Sequence, residues 1–323
     1  MDQLLKYKDE SGDSFYSAMT IDVEDGINIS MQDYFGIEMK PTSRVVENVD
    51  IILDICSSNN VKATFFILGE VAEAYPGLIK KIDSGGHEIG VHGYHHDQIF
   101  RLTPEKLRIE LTKAKDLMEN ITGQKISGFR APAFSINEKT AWALRIISEC
   151  GFEYDSSIYP SLSGRYGWHG FSKQICRLEL DNTTSIIEVP MSVITFMGRD
   201  FPACGGGYLR YFPYMLTKKA FRSIDKQRPV IVYLHPYELD TKKYPEYFYD
   251  ARSKAQLKKK LPLLFYRFKK STVKDKLSNL AREYRYTPLR QIITNLEKAD
   301  LIPRINLYQE TLRSDVNFVR NND

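Results

Sequence analysis

The chain has 323 residues, of which 42% are hydrophobic and 27% are charged. This composition is ordinary for a soluble globular enzyme, and a chain of this length can bury a large core without disulfides to hold it together. The net charge of +4 is too small to indicate nucleic-acid binding.

Short apolar runs alternate with helical patterns from residue 16 to about residue 236. The predicted strands are residues 16–23, 61–68, 87–92, 126–132, 152–158, 185–193 and 229–236. The predicted helices among them are residues 45–56, 71–84, 103–122 and 137–150, with helix-starting residues such as Thr103-Pro104 and glycines at several ends. Repeated strand–helix units predict a parallel sheet and leave open whether it closes into a barrel.

The composition changes after Asp240, and residues 244–270 are rich in aromatic and basic residues. Their lysine and arginine runs within 258–270 predict a solvated helical face, with contact to a membrane surface or an anionic glycan as the alternative. Two more helices are predicted near residues 272–284 and 287–299. The predicted organisation is therefore a domain over residues 1–240 and a helical extension over residues 241–323.

The N-terminal residues are polar and lack the apolar run of a secretory signal, and no window is apolar for about 18 residues. The cysteines are scattered without a CxxC pair, which predicts free thiols; they are Cys56, Cys150, Cys176 and Cys204. These features predict a cytoplasmic protein with no transmembrane segment.

Acidic residues follow the first predicted strand, at the end where functional groups collect in parallel α/β folds. In TIDVEDG, Asp22 and Glu24 point to the same side of an extended strand. Two neighbouring carboxylates disfavour each other's ionisation unless a cation lies between them, so the pair suits a metal ligand beside a base. The alternative is an acidic turn, since Asp25-Gly26 is also turn chemistry.

Three histidines lie in HGYHH, residues 92–96. His92 and His96 are four residues apart, a spacing that lets both bind one cation from a single helical turn, with His95 facing elsewhere. Two histidines and a carboxylate leave coordination positions open for water and substrate, as a catalytic metal site requires. The alternative is a set of hydrogen-bonded core histidines.

Two further side chains could complete a hydrolytic site. Arg130 in GFRAP could pair with Asp22, because an adjacent cation favours the charged form of a carboxylate. His235 in YLHPY could donate a proton, because imidazole titrates near neutrality. For both residues the alternative is a structural contact without a catalytic role.

Weaker candidates lie on the later strands and loops. Asp155 could hydrogen-bond a catalytic histidine or arginine. In CGGGYLRY, residues 204–211, the glycines could let the backbone approach a ligand, while Tyr208 and Tyr211 offer faces for stacking on a sugar. An ordinary glycine turn is the alternative.

Taken in order, these motifs resemble the NodB-type polysaccharide deacetylases (carbohydrate esterase family 4) over residues 16–240. TIDVED resembles the first family motif, HGYHH the second, and GFRAP, YDSSI and YLHPY the third to fifth. The closer likeness is to the branch with Asp-Val-Glu-Asp, GGGY-[LF]-R and a C-terminal helical extension, whose members are associated with exopolysaccharide, capsule or O-antigen synthesis. KDKLSNLAREYRYTPLRQII resembles that extension.

The resemblance implies an α/β fold, a distorted (β/α)7-type barrel, and removal of an N-acetyl group from an N-acetylated sugar with release of acetate. It implies a divalent metal, with Zn²⁺ first and Co²⁺, Ni²⁺ or Mn²⁺ as alternatives. The implied metal ligands are Glu24, His92 and His96. Asp22 is the implied base, Arg130 the cation that holds it charged, and His235 the acid. The backbone amide of Tyr159 is implied to stabilise the oxyanion, and Asp155 and Tyr208 to make further substrate contacts.

One departure from the family pattern leaves the carboxylate ligand open. The commonest first motif has two adjacent aspartates, whereas here the acids are Asp22, Glu24 and Asp25. Strand alternation favours Glu24, and a bulge or an early turn would bring Asp25 to the metal instead.

The expected substrate is a surface glycan or its lipid-linked precursor, met at the inner face of the membrane. A small-molecule amidohydrolase that acts on imides or ureides is the first alternative function. A non-catalytic glycan-binding protein is the second.

Overall fold

The computed structural model describes residues 15–161, 167–254 and 270–307. Its strands are β1 (Ala18–Val23), β2 (Thr64–Ile67), β3 (Glu88–Val91), β4 (Gly128–Phe129), β5 (Tyr154–Asp155), β6 (Cys176–Glu179), β7 (Ser185–Glu188), β8 (Val193–Phe196), β9 (Arg199–Pro202), β10 (Ile231–Leu234) and β11 (Arg304–Asn306). Its helices are α1 (Gly26–Ser30), α2 (Arg44–Ser58), α3 (Gly69–Ala74), α4 (Pro76–Ser84), α5 (Pro104–Thr122), α6 (Trp142–Glu149), α7 (Gly207–Tyr211), α8 (Tyr214–Ile224), α9 (Glu246–Lys254), α10 (Val273–Glu283) and α11 (Leu289–Lys298), and a π-helical turn spans Met31–Phe35.

Parallel pairing runs through seven strands, in the spatial order β10-β1-β2-β3-β4-β5-β7. Strand β6 pairs antiparallel with β7, and β11 pairs parallel with β6. Between β7 and β10 there is no regular ladder, but the Ile231 amide donates to Ser192 Oγ at 2.8 Å and Arg228 Nη2 donates to the Val193 carbonyl at 2.9 Å. These contacts close the sheet, so the predicted distorted barrel is confirmed.

The glycines of CGGGY serve this closure. Gly205 forms a parallel bridge with Tyr233 of β10, and the Gly206 amide donates to the Tyr233 carbonyl at 2.7 Å. Gly205 has a φ of +147°, and a Cβ there would lie 2.1 Å from the Tyr233 carbonyl oxygen. Only glycine permits such a close approach. The backbone that Gly205 approaches is that of strand β10, whereas the sequence had suggested the approach of a ligand.

All seven predicted strands are present, most of them shorter than predicted. The helices predicted near 272–284 and 287–299 correspond to α10 and α11, and Thr103 caps α5 as expected, with its Oγ1 accepting from the Lys106 amide at 3.3 Å. The sequence patterns missed β6, the β8–β9 hairpin, α8 and β11, because short strands with charged residues carry little periodicity.

The two faces of the strands pack against different layers. On β1, Met19, Ile21 and Val23 belong to the large apolar cluster that includes the surrounding helices. Ala18 belongs instead to a second cluster inside the barrel, and Thr20 and Asp22 share that inward face. A near-continuous apolar strand thus supplies both layers, as expected of a strand buried on both faces.

Helix α11 closes the end of the barrel where the strands begin. The apolar side of this helix packs into the interior cluster, where it meets Phe66 and Tyr154. The helix residues in this cluster are Leu289, Ile292, Ile293 and Leu296. Its first amides are bonded as well, since the Leu289 amide donates to Thr64 Oγ1 at 2.9 Å and the Arg290 amide to Glu88 Oε2 at 3.1 Å. A carboxylate at a helix N-terminus is favourable because it meets the positive end of the helix dipole.

The extension after residue 240 shares the core of the barrel. Besides α11, it contributes β11 to the main sheet, and α9 packs against the π-helical turn. The described residues of the predicted extension, 241–254 and 270–307, thus pack against the barrel and also contribute to its sheet and its interior. The basic segment within 258–270 lies outside the described residues except for Lys270, which is buried.

The four cysteines are free thiols, as predicted. Across residues 15–161, 167–254 and 270–307, no helix is both long enough and apolar enough to cross a membrane.

Replacing Leu289 with Ala should lower the free energy of unfolding by about 2–5 kcal/mol, because it leaves a cavity in the closed end of the barrel. Urea denaturation followed by circular dichroism measures the change. The control is Gln291→Ala on the exposed side of the same helix, expected to change stability by less than about 0.5 kcal/mol. Equal stability of both variants would contradict the closure of the barrel by α11.

Candidate active site

The predicted site residues gather where the parallel strands end. Asp22 and Asp155 lie at the ends of β1 and β5, while His92, Arg130 and His235 each follow directly after a strand. Because neighbouring parallel strands end at the same edge, residues far apart in sequence meet there.

Glu24, His92 and His96 form a compact group whose ligand atoms all lie within 4.8 Å of one another. Nε2 of His96 is 2.9 Å and Nε2 of His92 is 3.7 Å from Oε2 of Glu24. Glu24 Oε2 and His92 Nε2 are buried, and beyond their contacts within this group neither atom has a hydrogen-bond partner among the described residues. Such unsatisfied buried atoms facing one another are what a bound cation would satisfy, so the donor set fits a divalent metal.

The charges of this group hold the Glu24 carboxyl group in its ionised form. Burial alone would raise the pKa of Glu24, but the charges of His96 and His235 and the hydrogen bonds of His92 and His96 lower it well below its usual value. Burial would lower the pKa of His96, and the adjacent Glu24 outweighs that effect and raises it. The carboxylate is therefore held in the charged form that binds metal.

The loop that joins the two histidines is not helical. Residues 92–98 form no helical turn; Gly93 has a φ of +85° and His96 a φ of +61°. The prediction that the pair binds from a single helical turn is therefore wrong, although the two side chains do converge. A left-handed histidine is strained, and strain of this kind is concentrated at functional sites.

His92 is oriented by the backbone. Its Nδ1 lies 2.9 Å from the Arg130 carbonyl, an acceptor, so Nδ1 carries the proton and Nε2 faces Glu24 with its lone pair.

Asp25, the alternative ligand, is engaged elsewhere. One carboxylate oxygen accepts from the Ile27 amide at 3.0 Å as the N-cap of α1, and the other accepts from the Thr42 amide at 2.6 Å. Both oxygens are turned toward backbone amides, whereas Glu24 faces the histidines. The geometry thus favours Glu24 over Asp25 as the carboxylate ligand.

Arg130 is fully buried inside the barrel and uses all of its donors. Nη1 bonds Asp22 Oδ1 at 2.8 Å and Thr20 Oγ1 at 2.7 Å. Nε bonds the Ser156 carbonyl and Nη2 bonds Ser156 Oγ, both at 2.9 Å, and Nη2 also meets Met191 Sδ at 3.5 Å. The guanidinium therefore fixes one oxygen of Asp22 and leaves the other facing the site.

His235 faces the same acidic group from the opposite side. Its Nε2 is 3.6 Å from Glu24 Oε1 and 3.9 Å from Asp22 Oδ2. Burial would lower the pKa of His235, but Glu24, Glu238 and Asp22 outweigh burial and raise it to about 9.

Two residues that the sequence did not indicate hold His235 in place. Glu238 Oε2 accepts from the His235 amide at 3.3 Å and lies 3.8 Å from its Nδ1. Tyr237 stacks on the imidazole, with ring centres 4.7 Å apart. Tyr237 fits because residue 26 is glycine, since a Cβ there would lie 2.7 Å from the tyrosine ring.

Asp155 does not bond a catalytic histidine or arginine. Its carboxylate accepts from Ser157 Oγ at 2.5 Å and from the Ser157 amide at 3.2 Å, and it lies beside the buried Glu188. Glu188, which the sequence did not single out, accepts from the Ile158 amide at 3.0 Å. Burial raises the pKa of both carboxyl groups, and the charge of Asp155 raises the pKa of Glu188 further.

These bonds fix the loop that leads to Tyr159. The Tyr159 ring is buried and meets Phe134 and Tyr233 edge to face, at 5.4 and 6.3 Å between ring centres. Tyr208 lies on α7 and meets Phe212 at 5.6 Å between ring centres. Among the described residues, this contact does not connect Tyr208 to the group of Glu24, His92 and His96. The role of Tyr208 in substrate binding therefore stays a prediction.

A closed α/β barrel with a Glu–His–His group, an Arg–Asp pair and a histidine at one edge defines a hydrolase-type barrel with a candidate metal centre. Residues 38–154 match the polysaccharide deacetylase family, and residues 156–294 match a domain of unknown function, DUF3473. The resemblance to the NodB-type polysaccharide deacetylases (carbohydrate esterase family 4) that the motifs predict is therefore confirmed by a domain match over residues 38–154.

Named relatives agree with this family. A peptidoglycan-N-acetylglucosamine deacetylase of Bacillus cereus is 37% identical over 93 residues, which are 28% of this chain and 34% of that protein. A candidate polysaccharide deacetylase of Bacillus subtilis, YheN, is 33% identical over 116 residues, 36% of this chain and 41% of that protein. The chain thus spans only about a third to two fifths of these relatives.

The fold also matches a crystal structure. A candidate polysaccharide deacetylase from Mycobacterium smegmatis superposes with a TM-score of 0.60 at 20% identity, over 90% of this chain and 92% of that one. At this identity the likeness shows the fold alone.

Replacing Glu24 with Ala should abolish stoichiometric binding of a divalent metal, because it removes the only carboxylate of the three-residue group. Asp25→Asn should keep the metal, since an asparagine can still cap α1. Zinc content after dialysis and Zn²⁺ titration calorimetry measure both. Loss of metal in Asp25→Asn with retention in Glu24→Ala would reverse the ligand assignment.

Proposed function

We propose that this chain is a metal-dependent deacetylase that removes an N-acetyl group from a sugar of a bacterial surface polysaccharide or of its precursor, releasing acetate. The observation that carries the proposal is the convergence of Glu24, His92 and His96 with Asp22 and His235 at one barrel edge. The Bacillus cereus relative is named a peptidoglycan-N-acetylglucosamine deacetylase, which supports this substrate class.

In this proposal Asp22 is the general base. Arg130 holds its Oδ1, and its Oδ2 faces His235, so one oxygen is fixed and the other is directed into the site. A carboxylate held in this way can take the proton of a water that attacks the acetamide carbon.

His235 is the proposed general acid. Its Nε2 points toward Asp22 and Glu24, and Glu238 and Tyr237 hold the ring from behind. A proton carried on Nε2 can pass to the nitrogen of the leaving amine, which gives a free amino sugar and acetate.

The proposed metal ligands are Glu24, His92 and His96, with Zn²⁺ as the first candidate and Co²⁺, Ni²⁺ or Mn²⁺ as alternatives. A divalent cation at these residues would polarise the acetamide carbonyl and lower the pKa of a water toward neutrality. The Tyr159 amide is the proposed additional donor to the oxyanion, and Asp155 and Glu188 keep its loop rigid.

The space beside the site favours a glycan over a small imide. A cavity of about 730 Å³ adjoins the histidine loop, and its walls include His95, Glu70, Gln32 and Lys40. His95, which lies between two of the proposed ligands, bonds Glu70 at 3.4 Å and remains half exposed. A cavity of this volume is typical of ligand pockets, which span roughly 300–1,000 Å³, and leaves room for a glycan that extends past the reacting sugar.

The test is acetate release from N-acetylglucosamine oligomers and from lipid-linked N-acetylated acceptors, measured beside metal content. Release that is lost with a chelator and restored by Zn²⁺ is expected. A panel of cyclic imides and ureides tests the alternative, an amidohydrolase. Ring opening without acetate release would contradict the proposal, and saccharide binding without turnover of any substrate would favour the non-catalytic alternative.

Asp22→Asn should separate the base from the metal site. The variant keeps an oxygen for Arg130 and leaves the three proposed ligands intact, so the folded protein should hold metal at the wild-type level even though the unpaired charge of Arg130 lowers its stability. Its kcat should fall by about 10²–10⁴-fold, because asparagine cannot accept the proton.

The matched comparison is His96→Ala, expected to lose metal and acetate release together. If Asp22→Asn turned over oligomers at the wild-type rate, Asp22 would not be the base. If His96→Ala retained both properties, the proposed metal centre would be wrong.

A further inference from the structure

Exposed apolar side chains are concentrated in one part of the molecule outside the candidate active site. Of the eleven large hydrophobic residues that are exposed among the described residues, six lie between residues 196 and 216. Met197 is 88% exposed and Met215 is 81% exposed. Single exposed apolar residues are normal, but a concentration of them marks an interaction surface. We call this set the hairpin surface: Phe196, Met197, Phe201, Phe212, Met215 and Leu216.

The hairpin surface is built on the β8–β9 hairpin and on α8, with Phe212 at the C-terminal end of α7. Strands β8 and β9 pair from Val193–Pro202 to Phe196–Arg199, as a two-stranded sheet separate from the barrel sheet. Helix α8, whose first turn carries Met215 and Leu216, packs against β8.

The tip of the hairpin presents an apolar side chain at a local cost. The two-residue turn is Met197-Gly198, with φ values of +49° and +73°. Such turns favour asparagine, aspartate or glycine at both positions, because other residues are strained at positive φ. Turn formation therefore does not account for a methionine at the most exposed point of the hairpin.

The same stretch is basic. Residues 193–226 contain six lysines and arginines (Arg199, Arg210, Lys218, Lys219, Arg222 and Lys226) and two acids (Asp200 and Asp225), a net charge of +4. Asp200 is paired with Lys173 and Lys218 is paired with Glu283, both at 2.6 Å, while Arg210 and Asp225 are buried. Arg199, Lys219 and Arg222 are among the exposed residues.

Apolar side chains interspersed with cations match the boundary of an anionic bilayer, where methionine and phenylalanine enter the acyl region and lysine and arginine meet the headgroups. A symmetric contact between two copies of the chain would instead bring two net-positive surfaces together. We propose that the hairpin surface docks the protein on an anionic lipid membrane. This holds whether or not the chain is a deacetylase.

The experiment is sedimentation of the full chain with vesicles of phosphatidylcholine alone, or with one quarter phosphatidylglycerol. Wild type should bind the anionic vesicles more strongly. The double variant Met197→Asp/Met215→Asp should bind them about tenfold more weakly or worse, because two inserting side chains become anions. Both side chains are exposed, so circular dichroism and thermal unfolding should be unchanged.

The matched control is Ile109→Asp, which adds a carboxylate at a 67% exposed apolar residue of α5. It should bind vesicles nearly as wild type does. Equal binding by wild type and the double variant would place any membrane contact elsewhere and overturn the proposal, as would wild type that fails to bind. A dimer seen by light scattering that only the double variant abolishes would assign the surface to a second copy.

Discussion

The buried ion pair between Arg130 and Asp22 is the constraint on which the rest of the site depends. An arginine with no exposed surface is tolerated only if its charge is paired and its donors are satisfied. The barrel meets this requirement with a carboxylate, a hydroxyl, a carbonyl, a serine and a thioether from β1 and the segments after β5 and β7. Removing one partner of such a pair typically costs about 3–5 kcal/mol.

The same residue couples two functions. The Arg130 side chain fixes Asp22, the proposed base, and its carbonyl fixes the tautomer of His92, a proposed ligand. A displacement of the loop after β4 would therefore disturb the base and the metal group together. The polar side chains inside the barrel are thus bonded to one another, and Arg130 holds Thr20, Asp22 and Ser156 in fixed positions.

The fold could be predicted from the sequence because its signals are local. Apolar runs, helix caps and glycines mark the barrel strands and most helices, and the rule that functional groups follow strand ends located His92, Arg130 and His235. The strand and helix patterns left the closure of the barrel open, and only the family resemblance implied it. Closure depends on contacts across long sequence separations, in which Ser192 and Gly205 meet β10 and α11 meets the starts of the strands.

Within the candidate site, the residues that the sequence singled out lie close together, but part of the geometry expected for them is wrong. The spacing of His92 and His96 predicted that the two side chains converge, but it also predicted a helical turn that is absent. Positive φ angles at Gly93 and His96 bring them together instead. The choice between Glu24 and Asp25 had a readable signal, because an aspartate before a short helix is a typical N-cap. Glu188 gave no such signal: one acid at the end of an apolar run resembles a strand boundary until Ile158 and Asp155 lie beside it.

The boundary between the two matched segments does not divide the structure. It falls at residues 154–156, within β5, and the strands on either side belong to one sheet. The first segment carries His92, His96 and Arg130, while the second carries Glu188 and His235 and begins the helix that closes the barrel. Neither segment has a complete interior alone, since β5 must pair with β7, and β1, which precedes both segments, must pair with β10 of the second and β2 of the first. The region of unknown function is, in this chain, the second half of one barrel and supplies the proposed acid of its active site.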